Sequence, residues 1–152
     1  VDDVVVFFFQ AEDGIRDLVR SRGLGDGYKR QHQGDGGAIV AISSVSAVHG
    51  AAANPHYGAS KTALLGLVRA AAVGLARHKI RVNAVLPGWT ITDLASGGYN
   101  NDRFREVTTQ RTPIRRWATP EDYEELAAYL CDKSVQWHTG DQIVADGGYS
   151  IY

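Results

Sequence analysis

Apolar positions along the chain form short unbroken runs and one long periodic segment. AIVAIS, just after the turn signal GDGG at 34–37, RVNAVLPG at 81–88 and QIVAD before Gly147 and Gly148 are runs of strand length. Unbroken, branched runs of this kind suit strands covered on both faces. Between the first and second, a helical period extends from about Tyr57 to Arg77. One stripe holds Leu64, Leu67, Val68, Ala71 and Leu75, and a second, of small residues, holds Ala59, Ala63, Gly66 and Ala70. Two stripes predict burial on more than one side, with a sheet and a partner subunit as the surfaces to be met. Thr119 is placed to cap another helix, with Pro120 at its first position, Glu121 and Asp122 in its first turn, and Tyr123, Leu126, Ala127, Leu130 and Cys131 along one apolar face. Residues 89–112 are polar, weakly patterned and long for a connection, which predicts a loop closing over a site. Strand, helix, strand, helix, strand in alternation predicts an α/β fold, a parallel sheet with helical crossovers.

The first 31 residues read differently. Residues 10–31 are polar, with no sustained period. Glycines at 23, 25 and 27 begin a dinucleotide fingerprint, but Tyr28 stands where its last glycine belongs. QAEDGIRD is the translation of a DNA string resembling a flow-cell sequencing adapter. SRGLGDGYKRQ differs only at Gly27 from the translation of a transposase-type library adapter. Residues 1–31 are therefore read as a non-native, adapter-derived or disordered segment, set aside from the fold, and 32–152 as the folded part. No methionine occurs in the 152 residues, and the chain reads as a piece of a longer protein.

Composition narrows the function classes. A net charge of -1 with 22% charged residues gives no basic field for nucleic acid, and a small molecule is the expected partner. The early apolar run VVVFFF is far short of a bilayer span and lacks the flanks of a signal peptide, so a soluble, cytoplasmic protein without membrane contact is expected. The single cysteine, Cys131, has no intrachain disulfide partner and no metal-ligand spacing to a histidine, and reads as a small buried apolar residue.

The candidate chemistry begins in HYGASK. Tyr57 precedes Lys61 by four residues, one helical turn. A phenol ordinarily loses its proton near pH 10, and an ammonium within ~4–6 Å favours the phenolate. Such a phenol can exchange a proton with a substrate oxygen. Ser44, at the carboxyl end of AIVAISS, lies where an open parallel sheet has its ligand crevice. Other motifs fail: GASKT ends like a P-loop, but Pro55 and Ser60 occupy its glycine positions. Ser60 also lacks the glycine two residues on that a nucleophile elbow needs. Arg115 and Arg116 read as solvated charge.

GGAIVAISS, YGASKTALLGLVRAAA, IRVNAVLPGWTITD and TGDQIVADGGY, in this order and covering nearly all of residues 36–149, closely resemble the short-chain dehydrogenase/reductase family. The resemblance implies a partial Rossmann-like, doubly wound parallel sheet: the C-terminal three strands, residues 32–152 being the C-terminal half of the domain. It implies an oxidoreductase interconverting an alcohol and a ketone or aldehyde with NAD or NADP, and an intact parent that is a homo-oligomer. Tyr57 would be the general acid or base. Lys61 would lower its pKa and hold the nicotinamide ribose, and Ser44 would bond the substrate oxygen. Pro87 and Gly88 would shape the loop under the nicotinamide, Thr90 and Thr92 would contact its carboxamide, and Ser46 and His49 would line the substrate pocket, under a cover formed by residues 93–112. No metal is implied. The family's glycine-rich phosphate cradle belongs to the N-terminal half. Without it the chain itself is expected to be inactive and to leave an open edge on the AIVAIS strand. Two other classes stay open, a non-catalytic cofactor sensor or scaffold on this fold, and a mini-domain acting only through interaction.

Overall fold

The structure, a computed structural model, describes residues 4–8 and 36–152. Four parallel strands form one sheet in chain order: β1 (Val4–Phe8), β2 (Gly37–Ile42), β3 (Ile80–Pro87) and β4 (Gln142–Ala145). Three of these are the strands that the apolar runs predict. The fourth corrects the expectation of an open edge on the AIVAIS strand: Val4 through Phe8 pair with Ala38 through Ile42, so this part of the segment set aside is in the sheet. The adapter-like residues 10–31 lie outside the described residues.

Alternate residues of β2 and β3 point to opposite faces, and each face is covered by helix. On one side α1 (Ser46–His49) leads to α2 (Pro55–Leu75), which starts with proline at its first position. Leu64, Leu65, Val68, Ala72 and Leu75 of α2 pack on Ile39, Ala41, Val82, Ala84 and Leu86. A 3₁₀ turn, Ala76–His78, and a left-handed Lys79 then return the chain to β3. On the other side Leu130, with Tyr123, Leu126 and Cys131, packs against Val40, Val85, Ile143 and Ala145. This is the doubly wound arrangement expected. By length and composition α2 and its 3₁₀ turn, Pro55–His78, would suffice to cross a membrane, but the Leu64–Leu75 face is spent on the sheet. The small-residue stripe is exposed at Ala59, Ala63 and Ala70, as are Leu67 at 39% and Val73 at 82%.

The predicted Thr119 helix begins as a 3₁₀ turn, Pro120–Tyr123, before α5 (Glu124–Cys131). Asp122 closes its start by accepting from the Thr119 N–H at 2.7 Å. The segment read as loop, residues 89–112, instead contains α3 (Ser96–Tyr99) and α4 (Asp102–Arg111). Asn101 caps α4, its side chain accepting from the Phe104 N–H at 3.1 Å. Trp89 and Trp117 stack at 5.0 Å, with Phe104 edge-on to Trp89 at 5.0 Å. Thr112 and Pro113, after α4, lie against Gly147 and Gly148, whose φ angles of 64° and 85° favour glycine; a Cβ at either would come within 3 Å of those side chains.

Candidate active site

Parallel pairing puts the carboxyl ends of β2, β3 and β4 on one edge of the sheet, and the candidate residues collect there. The ladder continues past the assigned strands, with the Ser43 N–H donating to the Val85 carbonyl (2.8 Å) and the Val45 N–H to the Pro87 carbonyl (3.1 Å). Ser44 is thereby fixed beside the end of β3. It is 8% exposed, and its Oγ accepts from the Ser46 N–H at 3.1 Å, which leaves the hydroxyl hydrogen to donate elsewhere.

Lys61 reaches back to the same edge from the second turn of α2. Its Nζ donates to the Ile42 carbonyl at 3.0 Å and stands 5.6 Å from the centre of the Tyr57 ring. Lys61 is 6% exposed, and burial lowers its pKa from the ordinary 10.5 to about 8. Ser43, which the sequence reading passed over, adds a second tie, its Oγ donating to the Lys61 carbonyl at 3.0 Å. Tyr57 is half-buried in the first turn of α2. That turn is held to α1 by Thr62, whose hydroxyl lies 3.0 Å from the Ala47 carbonyl, and by the closeness of Gly58 to the Ser46 carbonyl.

Pro87 ends β3 and Gly88 follows it. The Gly88 N–H donates to the Ala145 carbonyl at 3.2 Å, and a Cβ at this position would lie 2.7 Å from Asp146 Cβ and 2.8 Å from its Cα. Gly88 is therefore needed for the close approach of β3 to the end of β4. Thr90 Oγ1 donates to the Gly88 carbonyl at 3.1 Å and lies 2.8 Å from the Tyr123 hydroxyl. Thr92 is exposed on the following turn, its Oγ1 accepting from the Ala95 N–H at 3.3 Å. Ser46 is half-buried at the start of α1, and His49 is exposed at its end. Ser44, Tyr57, Lys61, Pro87 and Gly88 thus share the strand-end edge, while Thr92 and His49 lie on exposed turns.

Buried polar groups brace this edge from the other end of β3. Asn83, 1% exposed, donates to the His138 carbonyl at 2.9 Å and accepts from the Asp141 N–H at 3.1 Å. Arg81 donates to the Leu130 and Asp132 carbonyls at 2.8 and 3.0 Å. Together they fix the turn into β4. At the far end of that strand burial opposes the charge of Asp146, yet hydrogen bonds from Ser150 and Gly148 hold its carboxyl below the ordinary range. A cavity of about 800 Å³ is lined by Ile91 of the loop after Gly88 and by Tyr99, Arg105, Arg116, Trp117 and Asp122. Among the described residues no three His, Cys, Asp or Glu side chains could hold a metal.

Comparison with known proteins bears on the fold and the family. A family model described as Enoyl-(Acyl carrier protein) reductase matches residues 27–150. L-rhamnose 1-dehydrogenase (NAD(P)(+)) of Azotobacter vinelandii is 38% identical over 81% of this chain and 48% of its own length. 2-Dehydro-3-deoxy-D-gluconate 5-dehydrogenase of Dickeya dadantii is 36% identical over 77% of the chain and 46% of its own. A solved short-chain type dehydrogenase/reductase from Mycobacterium ulcerans superposes with a TM-score of 0.78, at 30% identity over 84% of this chain and 46% of that one. The chain spans about half the length of the curated relatives it matches. With a lysine and tyrosine one turn apart beside a strand-end serine, and with this match across most of its length, the chain belongs to the short-chain dehydrogenase/reductase family.

Proposed function

We propose that the protein represented by this chain is an NAD- or NADP-dependent oxidoreductase that interconverts an alcohol and a ketone or aldehyde, with Tyr57 as general acid and base. The observation that carries this reading is the buried Lys61 ammonium, seated on the Ile42 carbonyl 5.6 Å from the Tyr57 ring, at the strand end that carries Ser44 two residues on. Burying a cation is costly, and a site that keeps one next to a phenol is suited to proton transfer at an oxygen.

The donor set fits a nicotinamide coenzyme: a cation for ribose hydroxyls at Lys61, and a turn at Pro87 and Gly88 on the same edge, followed by Thr92. The coenzyme would supply or accept the hydride. The chain's own groups manage the oxygen. In reduction, Tyr57 gives its phenolic proton to the carbonyl oxygen, Ser44 donates a hydrogen bond to that oxygen as charge builds, and Lys61 favours the negative charge left on the phenol. In oxidation the same proton returns to Tyr57. Helices α3 and α4 would form the cover over the substrate. Two relatives are named for reactions of a sugar and a sugar acid, so polyhydroxylated alcohols are the substrates to try first. We also propose a homo-oligomer, supported by the exposed small-residue stripe of α2 and by Val144 on the edge strand, 47% exposed.

In whichever length of the protein turns over a secondary alcohol with either coenzyme, Tyr57→Phe is expected to lower kcat by about 10²–10⁴-fold with little change in KM. An unchanged kcat overturns the assignment. For the chain itself, which spans half the length of its relatives, weak binding is expected when NADH or NADPH is titrated and followed by coenzyme fluorescence. Tight, stoichiometric binding would contradict that expectation.

A further inference from the structure

Tyr123 closes the 3₁₀ turn before α5, and its ring packs with Val40, Val85 and Leu130. A phenylalanine would satisfy that packing. The hydroxyl needs another reason, because a polar group in an apolar setting costs free energy unless it is bonded. It lies 2.8 Å from Thr90 Oγ1, and Thr90 Oγ1 donates to the Gly88 carbonyl at 3.1 Å. A threonine hydroxyl has one hydrogen. With that hydrogen on Gly88, the one between the two hydroxyls must come from Tyr123, and the chain of donors runs from Tyr123 to Thr90 to Gly88. Burial raises the Tyr123 pKa, which keeps the phenol in its donating form. The backbone clasps the same loop: the Ala118 N–H donates to the Trp89 carbonyl and the Ile91 N–H to the Ala118 carbonyl, both at 2.9 Å.

We propose that Tyr123 is a positioning residue, its hydroxyl acting through Thr90 to fix the direction of the Gly88 carbonyl and the course of loop 88–92. Its consequence for coenzyme binding rests on the function proposed above, in which this loop lies against the nicotinamide.

The test uses the full chain with Tyr123→Phe, Thr90→Val and Thr90→Ser. Backbone hydrogen exchange is measured at Ile91 and Ala118, against Val40 and Val68 as core references, and NADH or NADPH is titrated into each variant. Tyr123→Phe and Thr90→Val are expected to speed exchange at Ile91 and Ala118 by roughly three- to tenfold relative to the references, the scale of one lost hydrogen bond. Thr90→Ser, which keeps a hydroxyl in place, is expected to stay near wild type. Exchange in Tyr123→Phe that moves only in step with Val40 and Val68 would overturn the positioning role, as would Thr90→Ser behaving like Thr90→Val. Local loosening upholds that role whether or not this half-length chain binds coenzyme measurably, and the coenzyme reading stands or falls on the Tyr57→Phe test in the length of protein that turns over an alcohol. Loosening that leaves a measured coenzyme affinity unchanged overturns the link between loop and coenzyme.

Discussion

Lys61 carries an electrostatic cost that can be read as stability. Its folded pKa, about 8, lies below its ordinary 10.5, so between these values the unfolded chain binds more protons than the folded one. Stability therefore rises with pH across that window, by on the order of 3 kcal/mol for a group this buried. Urea unfolding at pH 7.5, 9 and 10.5 should show the rise in the wild type and a flatter profile in Lys61→Met; parallel profiles would contradict the assignment. The Tyr57–Lys61 pair was legible because spacing along a helix fixes which side chains meet. Ser43 was not, since nothing in two adjacent serines says that the first ties down the Lys61 carbonyl while the second meets the Ser46 N–H. That division depends on which side of the strand end α2 occupies. Thr90 shows the same limit: its hydroxyl bonds to Gly88 and Tyr123, partners that spacing along the chain does not reveal.

At the scale of elements, strand ends and helix caps decide the shape of the edge. Gly88→Ala would drive a Cβ to within 2.8 Å of Asp146, and moving β3 from β4 should destabilise the chain by about 1–3 kcal/mol in urea unfolding. Asn83→Ala would strand the Asp141 N–H and leave the His138 carbonyl only its 3.4 Å bond from Arg81, an expected loss of about 1–3 kcal/mol in the same measurement. Asn101→Ala removes the α4 cap and should cost about 1 kcal/mol. The Thr119 start was legible from its proline and acidic residues, although the first turn is 3₁₀ rather than α. Helix α4 was missed because its ten residues, DRFREVTTQR, are mostly polar. The clue was there in Asn101 followed by Phe104, Val107 and Thr108 at helical spacing. What secures the segment, however, is the Trp89, Trp117 and Phe104 cluster and the contact of Thr112 and Pro113 with Gly147 and Gly148, which bring together residues far apart in sequence.

For the molecule as a whole, sheet order matters most. β1 covers the edge of β2, and unpaired edges template self-association. Deleting residues 1–9 should therefore raise the apparent mass in light scattering, and an unchanged mass would show that this edge is protected by other means. The sequence by itself determined the alternation of strands and helix, the two-faced burial of the central strands, and the placement of Tyr57, Lys61 and Ser44. These follow from periodicity and from fixed spacing along single elements, which are local properties of a chain. Tertiary structure alone decided that Val4–Phe8 completes the sheet, that residues 96–111 are mostly helical, and that Tyr123 reaches Thr90. Each depends on surfaces meeting across long separations, and the free energy of such contacts resides in packing and paired polar groups that no short window of residues contains.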